Sequence, residues 1–146
     1  MFHIIFNEDT VEISENGSIT GELYFQLEDR FFPFENWNDF IVVILSWWNK
    51  SANLLANASV GTTVNFVYMD GPYVVRGKKS DDGNLIQLSF LERTSNGEVL
   101  IEITDVEIQT LRNSIRKISN EVLKNQLICN RQNNDDIIEL KKVMSL

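Results

Sequence analysis

The chain carries one histidine, His3, and one cysteine, Cys129. Any Ser–His or Cys–His catalytic pair would have to use His3. His3 sits in the apolar N-terminal run His3-Ile4-Ile5-Phe6 and reads as an incidental strand residue. Cys129 follows Leu127-Ile128 without a CxxC or a histidine cluster, so it reads as a small apolar contact rather than a nucleophile. Structural zinc takes about four Cys or His ligands, more than the chain contains.

Two loops imitate known motifs and fail on spacing. Gly71 to Ser80 contains Gly77-Lys78-Lys79-Ser80, but its glycines lie one residue further apart than G-x-x-x-x-G-K-[ST] allows. Asp81-Asp82-Gly83-Asn84 has part of a calcium loop, but no Glu closes it at the required position. Turn chemistry accounts for both. Glu8-Asp9, Asp81-Asp82 and Asp135-Asp136 are adjacent acidic pairs. Neighbours on a strand point to opposite faces, so such pairs do not converge on a metal. A hydrolase using two distant carboxylates is a further reading, to which no motif points. The residues therefore indicate a non-catalytic protein with no cofactor and no metal.

Charge points the same way. The net charge is −8, and residues 1–36 alone hold eight acids and one base. Nucleic-acid binding draws affinity from basic patches, and anionic membranes attract the same patches, so neither is an expected partner. A basic protein is the natural complement. The expected contact residues are the acids Glu8, Asp9, Glu12, Glu15, Asp81 and Asp82, with Trp37 as an aromatic anchor. The N-terminus is too short and acidic for a signal peptide. The longest apolar run, Phe40 to Leu45, is far below the ~20 residues that span a bilayer, so the expected compartment is the cytoplasm.

These residues must be positioned by a fold of one domain, 1–146, which is long enough to form a core without cross-links. Residues 2–6 and 10–14 predict short strands. Asn16-Gly17 then predicts a hairpin turn into a strand from Ile19 to Leu27, placing Ile19, Gly21, Leu23, Phe25 and Leu27 on one buried face. After Pro33, Asn36 and Asp39 are spaced as a cap for a helix over about 37–56, whose centre is apolar all round and must be packed on several sides. Residues 62–104 predict a four-strand meander. Its turns are Asp70-Gly71-Pro72, Ser80 to Gly83, and Ser95-Asn96-Gly97. Within the last strand, Val99, Ile101 and Ile103 alternate with Leu100, Glu102 and Thr104. Thr104-Asp105-Val106-Glu107 predicts a capping box for a helix over about 105–128, with Ile108, Leu111, Ile115, Ile118 and Val122 as its apolar stripe. A short helix over Asp135 to Met144 completes an α+β domain: a mainly antiparallel sheet, a buried central helix and a C-terminal amphipathic helix packed on the sheet. A homodimer through the last helix is one further expectation.

All three tryptophans lie between Trp37 and Trp48. Trp47 and Trp48 point about 100° apart on a helix, so one faces the core and the other a groove or partner. A small-molecule pocket between this aromatic helix and the sheet is the alternative to a protein-binding surface. The pattern Phe32-Pro33, Trp37-Asn38-Asp39-Phe40, Leu45-Ser46-Trp47-Trp48 resembles that of small bacterial immunity proteins of contact-delivered toxin systems. The resemblance covers about a quarter of the chain and rests on residues of structural type. It implies a small, cytosolic, non-enzymatic protein that binds a basic toxin domain.

Overall fold

A computed structural model describes residues 2–145. Strand β1 (His3–Ile13) pairs antiparallel with β2 (Ile19–Gln26) across the Asn16-Gly17 turn, where Gly17 takes φ +88°. The two short strands expected at the N-terminus are one strand with a register shift between Asn7 and Glu12. Thr10 holds the irregularity together. Its hydroxyl donates to the Asn7 carbonyl at 2.6 Å and accepts from the Glu22 amide at 2.9 Å. Ile19, Gly21, Leu23, Phe25 and Leu27 are all buried, as alternation predicts.

The next segment departs from expectation. Residues 37–40 do not open a helix. Phe31–Phe32 (β3) and Asn38–Asp39 (β4) are two-residue strands, both paired with β2. The Trp37 carbonyl accepts from Leu23 N at 2.9 Å, and Asn36 is a turn residue at φ +65°. The exposed edge of β2 supplies backbone partners here, and those bonds displace the first helical turn. Helix α1 therefore spans Ile41–Ala56, with Phe40 at the cap position and no side-chain cap. Ile41, Val42, Ile44, Leu45, Trp48, Ala52 and Leu55 are buried, so the helix is enclosed on several sides as expected.

The meander comprises β5 (Thr63–Val67), β6 (Tyr73–Lys79), β7 (Leu85–Thr94) and β8 (Gly97–Glu107), antiparallel in that order. β8 runs past the expected boundary. The predicted capping box is instead sheet: Asp105 pairs Gln87 and Glu107 pairs Leu85. β7 offers ladder partners along this whole stretch, and Val106 is buried opposite Ile86, so sheet pairing wins over the cap. The expected alternation in β8 is also broken. A bulge at Ile101 shifts register, and Val99, Leu100 and Ile103 are all exposed.

Helix α2 (Ile108–Lys124) is shorter at both ends than expected, and it buries the predicted stripe Ile108, Leu111, Ile115, Ile118 and Val122. It packs on α1 as well as on β1 and β8. A polar pair fixes the helix–helix contact: Asn49 Nδ2 donates to Ser119 Oγ at 3.0 Å, with both residues buried. Helix α3 (Asp135–Met144) is capped by Asn134, whose Oδ1 accepts from Asp136 N and Ile137 N. The fold is thus α+β with two antiparallel sheets rather than one, and α1 touches both sheets and both other helices. Phe25 of the first sheet lies 5.3 Å from Phe90 of the second, joining them in one core. Among the described residues no helix is long and apolar enough to cross a membrane.

Candidate partner-binding surface

The segment that refused to become a helix organises the most distinctive surface of the molecule. Asp39 is 2% exposed, yet its carboxylate takes three N–H donors. Oδ1 accepts from Phe40 N at 2.7 Å, while Oδ2 accepts from Trp37 Nε1 at 3.1 Å and from Asp70 N at 3.1 Å. Such satisfaction is what makes a buried carboxylate tolerable. It also ties three places together: the indole of Trp37, the start of α1, and the Asp70-Gly71-Pro72 turn between β5 and β6. Nearby, the Tyr68 hydroxyl is buried without a hydrogen-bond partner among the described residues. Burial, and then the negative charge of Asp39, hold its pKa well above the usual tyrosine value.

Trp37 lies against Gly71. A Cβ on Gly71 would stand 2.8 Å from Trp37 Cη2, so only glycine lets the indole come this close to the turn. Phe34 stacks on Trp37 (6.2 Å, 30°), and both meet Tyr73 edge-on at 5.7 Å and 5.3 Å. Phe34 is 58% exposed; Trp37 and Tyr73 are half-buried. The result is an aromatic platform on a rigid base. Its surroundings are acidic: Glu35 and Asp70 are exposed and Glu92 is half-buried. Burial, then the nearby Glu92, raise the pKa of Tyr73; burial, then Glu35 and Glu22, raise that of Tyr24. Neither residues 31–40 nor residues 68–74 contain a lysine or arginine. Arg93, on the neighbouring strand, donates its amide to the Pro72 carbonyl, and its Nε lies 3.9 Å from Glu98.

The acids expected to form the contact are all exposed but do not converge. Glu8 and Asp9 line a crevice of about 490 Å³ together with Lys124 and Asn125. Glu15 belongs to another crevice, of about 420 Å³, beside the Asn130 to Asn134 connector. Asp81 lines a third, of about 290 Å³, with Lys78 and Lys79. Two of the three already hold lysines, which blunts their negative potential. Of the expected residues only Trp37 falls in the platform. Phe34 and Tyr73 are not among the expected contacts, and the one local signal beside Tyr73 is the Asp70-Gly71-Pro72 turn.

The other tryptophans divide as the helix geometry requires: Trp48 is fully buried and Trp47 half-buried. Trp48 Nε1 donates to the Val67 carbonyl at 2.8 Å, and its ring lies 5.4 Å from Phe25 and 5.3 Å from Tyr68. Packed rings thus occupy the space between helix and sheets. The surface groove beside α1, of about 870 Å³, is lined by Leu54, Asn57, Thr62 and Val64 among others and by no aromatic residue. Cys129, expected to be an apolar contact, is exposed in the turns after α2. The chain breaks away from helical geometry at Asn125, whose Oδ1 accepts from Leu127 N, and this swings residue 129 off the stripe. Among the described residues no three His, Cys, Asp or Glu side chains gather as a metal ion would need.

Comparison with protein-family models, with curated proteins and with solved structures finds no match for this chain.

Proposed function

We propose that this protein is a non-catalytic binding protein that captures a basic protein partner, with the Phe34–Trp37–Tyr73 platform as its anchor. One observation carries the reading. Three aromatic rings stand partly in solvent on a base fixed by the buried Asp39, and the flanking acids have no lysine or arginine among them in residues 31–40 and 68–74. Rigid aromatics give large contact area at low entropy cost, and they dominate the affinity of many interfaces. Acids around them favour Lys and Arg on the partner and speed encounter through the −8 field. Within this reading the protein acts in the cytoplasm as an immunity-type neutraliser that covers the working surface of a toxin domain.

The test is co-expression with basic proteins encoded beside it, followed by co-purification and a growth assay. Recovery of a basic partner, with rescue of growth from that partner's toxicity, is the expected result. Failure to recover any basic partner, together with no rescue, would overturn the reading.

A further inference from the structure

The two edges of the second sheet are finished differently. At β5 the edge is sealed by α1: Ser51 Oγ donates to the Asn65 carbonyl at 2.8 Å, and Trp48 Nε1 donates to the Val67 carbonyl at 2.8 Å. Residues 65 and 67 point their backbone the same way, so these two donors cap the outward groups of a strand edge. At β8 nothing equivalent occurs. It is the last strand of its sheet, eleven residues long, and among the described residues no backbone hydrogen bond joins it to a further strand. α2 packs against β8, and Glu102 to Thr104 share a shallow crevice of about 70 Å³ with Leu27 and Glu28.

Folded proteins usually blunt such an edge with charged side chains, Pro, a bulge or a covering element, and β8 has acids and a bulge but no cover along its length. β8 has no Lys, Arg or Pro, and its bulge at Ile101 is its one irregularity. It exposes Val99, Leu100 and Ile103 at 50%, 54% and 46%. The pairing register places Leu100 at the end of a row Val67–Val74–Leu91–Leu100 across one face of the sheet. Val74 and Leu91 are buried in that row, while its last member ends in solvent. The strand also carries four acids, Glu98, Glu102, Asp105 and Glu107.

We infer that β8 is a strand-addition site for an extended segment of a basic protein, in which apolar residues alternate with Lys or Arg. Charge selects this occupant over a second copy of the chain. Glu98 is held by Arg76, but two β8 strands side by side would still bring Glu102, Asp105 and Glu107 of each copy to one seam with no base in either strand, and like charges across a strand pair are destabilising. An apolar–basic strand instead sets apolar side chains beside Leu100 and Ile103 on one face and a cation beside Glu102 on the other. Main-chain hydrogen bonds supply affinity and the alternate side chains supply selectivity. The site adjoins the aromatic platform. Tyr73 pairs Glu92 and Glu92 pairs Val99, so the platform lies two strands from β8, about 10 Å away. The inference rests on a basic partner as proposed above, but on backbone pairing rather than on the platform or on neutralisation.

The test uses the full chain and a synthetic peptide of about ten residues alternating valine and lysine, a strand-length probe. A control peptide of the same sequence is N-methylated at every second residue, which removes edge hydrogen bonds and keeps the charge. Saturable binding is expected, with slowed amide exchange confined to residues 98–106 and at least a tenfold weaker response to the N-methylated peptide, as backbone pairing requires. The double substitution Leu100→Thr with Ile103→Thr should weaken binding about fivefold through lost apolar contact, with the melting temperature unchanged. Absent binding, equal binding of both peptides, or protection elsewhere overturns the inference. So does light scattering that shows a peptide-free dimer which the double substitution dissolves, because the occupant is then a second copy.

Discussion

The indole nitrogen of Trp37 donates to the buried carboxylate of Asp39 at 3.1 Å, and the same carboxylate oxygen accepts the amide of Asp70. The side chain that displays the platform is therefore locked to the turn on which it rests. Replacing Asp39 by Ala leaves the Trp37 indole and the amides of Phe40 and Asp70 without their partner. Hydrogen bonds to charged groups contribute about 1.5–3 kcal/mol each, and with water replacing the bond at the half-buried indole the predicted loss is at least about 3 kcal/mol of stability. Asp39→Asn keeps one acceptor oxygen and should lose roughly half as much. Urea midpoints at constant slope check both values.

Gly71→Ala should act on the same relationship from the other side. The backbone is at φ +71°, and the new methyl would stand 2.8 Å from the Trp37 ring. A cost of about 1–3 kcal/mol is expected from the strained conformation and the displaced indole. Trp37 fluorescence should shift toward a more solvated value, which distinguishes this variant from a simple loop defect. An unchanged spectrum with unchanged stability would contradict the contact.

The helix–helix contact can be measured as a pair. Ser119 Oγ donates to the Ile115 carbonyl at 2.7 Å while accepting from Asn49, and Asn49 also donates to the Leu45 carbonyl. Ser119→Ala should cost about 1 kcal/mol. Combined with Asn49→Ala in a double-mutant cycle, it should show a coupling of at least about 0.5 kcal/mol. Additive effects would mean that the two residues act independently.

Stability should fall on acidification, in part through Glu98. Arg76 grips its carboxylate with two bonds of 2.6 Å and 2.8 Å, and hydrogen bonding and charge from Arg76 lower the Glu98 pKa in the folded chain. A carboxylate with a depressed folded pKa stabilises the fold above its unfolded pKa. That contribution is lost as pH falls from the ordinary glutamate range through the lower folded value. Glu139, bonded to Lys50 at 3.0 Å, follows the same sign. Glu98→Gln should therefore unfold less steeply with acid than the parent chain, which melting curves across that window would show. An identical acid profile would mean the ion pair is inert.

Much of the fold was legible in residue pattern. Alternation over Ile19 to Leu27, glycine-bearing turns, and the stripe from Ile108 to Val122 are local signals, and each appears where expected. The two errors of boundary share a cause. Asn36 to Asp39 and Thr104 to Glu107 both read as helix caps, but Asn36 is a turn residue, and Asn38–Asp39 and Thr104 to Glu107 are strand because a neighbouring strand had unfilled backbone groups. Cap spacing is visible within four residues, whereas a partner edge comes from elsewhere in the chain. The platform was only partly legible for the same reason. Trp37 announced itself by type, but its partner Gly71 is distant in sequence, and nothing local told that Asp39 would bond a turn beyond α1. The acids stand out by composition, which carries no information on convergence, and Glu8 with Asp9, Glu15, and Asp81 lie in three separate crevices.

The platform as anchor is tested most directly by titrating the co-purified basic partner against the parent chain, Trp37→Ala, and the paired change Asp81→Asn with Asp82→Asn. Circular dichroism and melting would confirm that each variant is folded. An anchor at an interface centre contributes about 2 kcal/mol or more, so Trp37→Ala should weaken binding about 30-fold. The paired change in the distant turn should shift affinity less than about threefold, as peripheral charges do. Undiminished affinity of a folded Trp37→Ala chain would contradict the account.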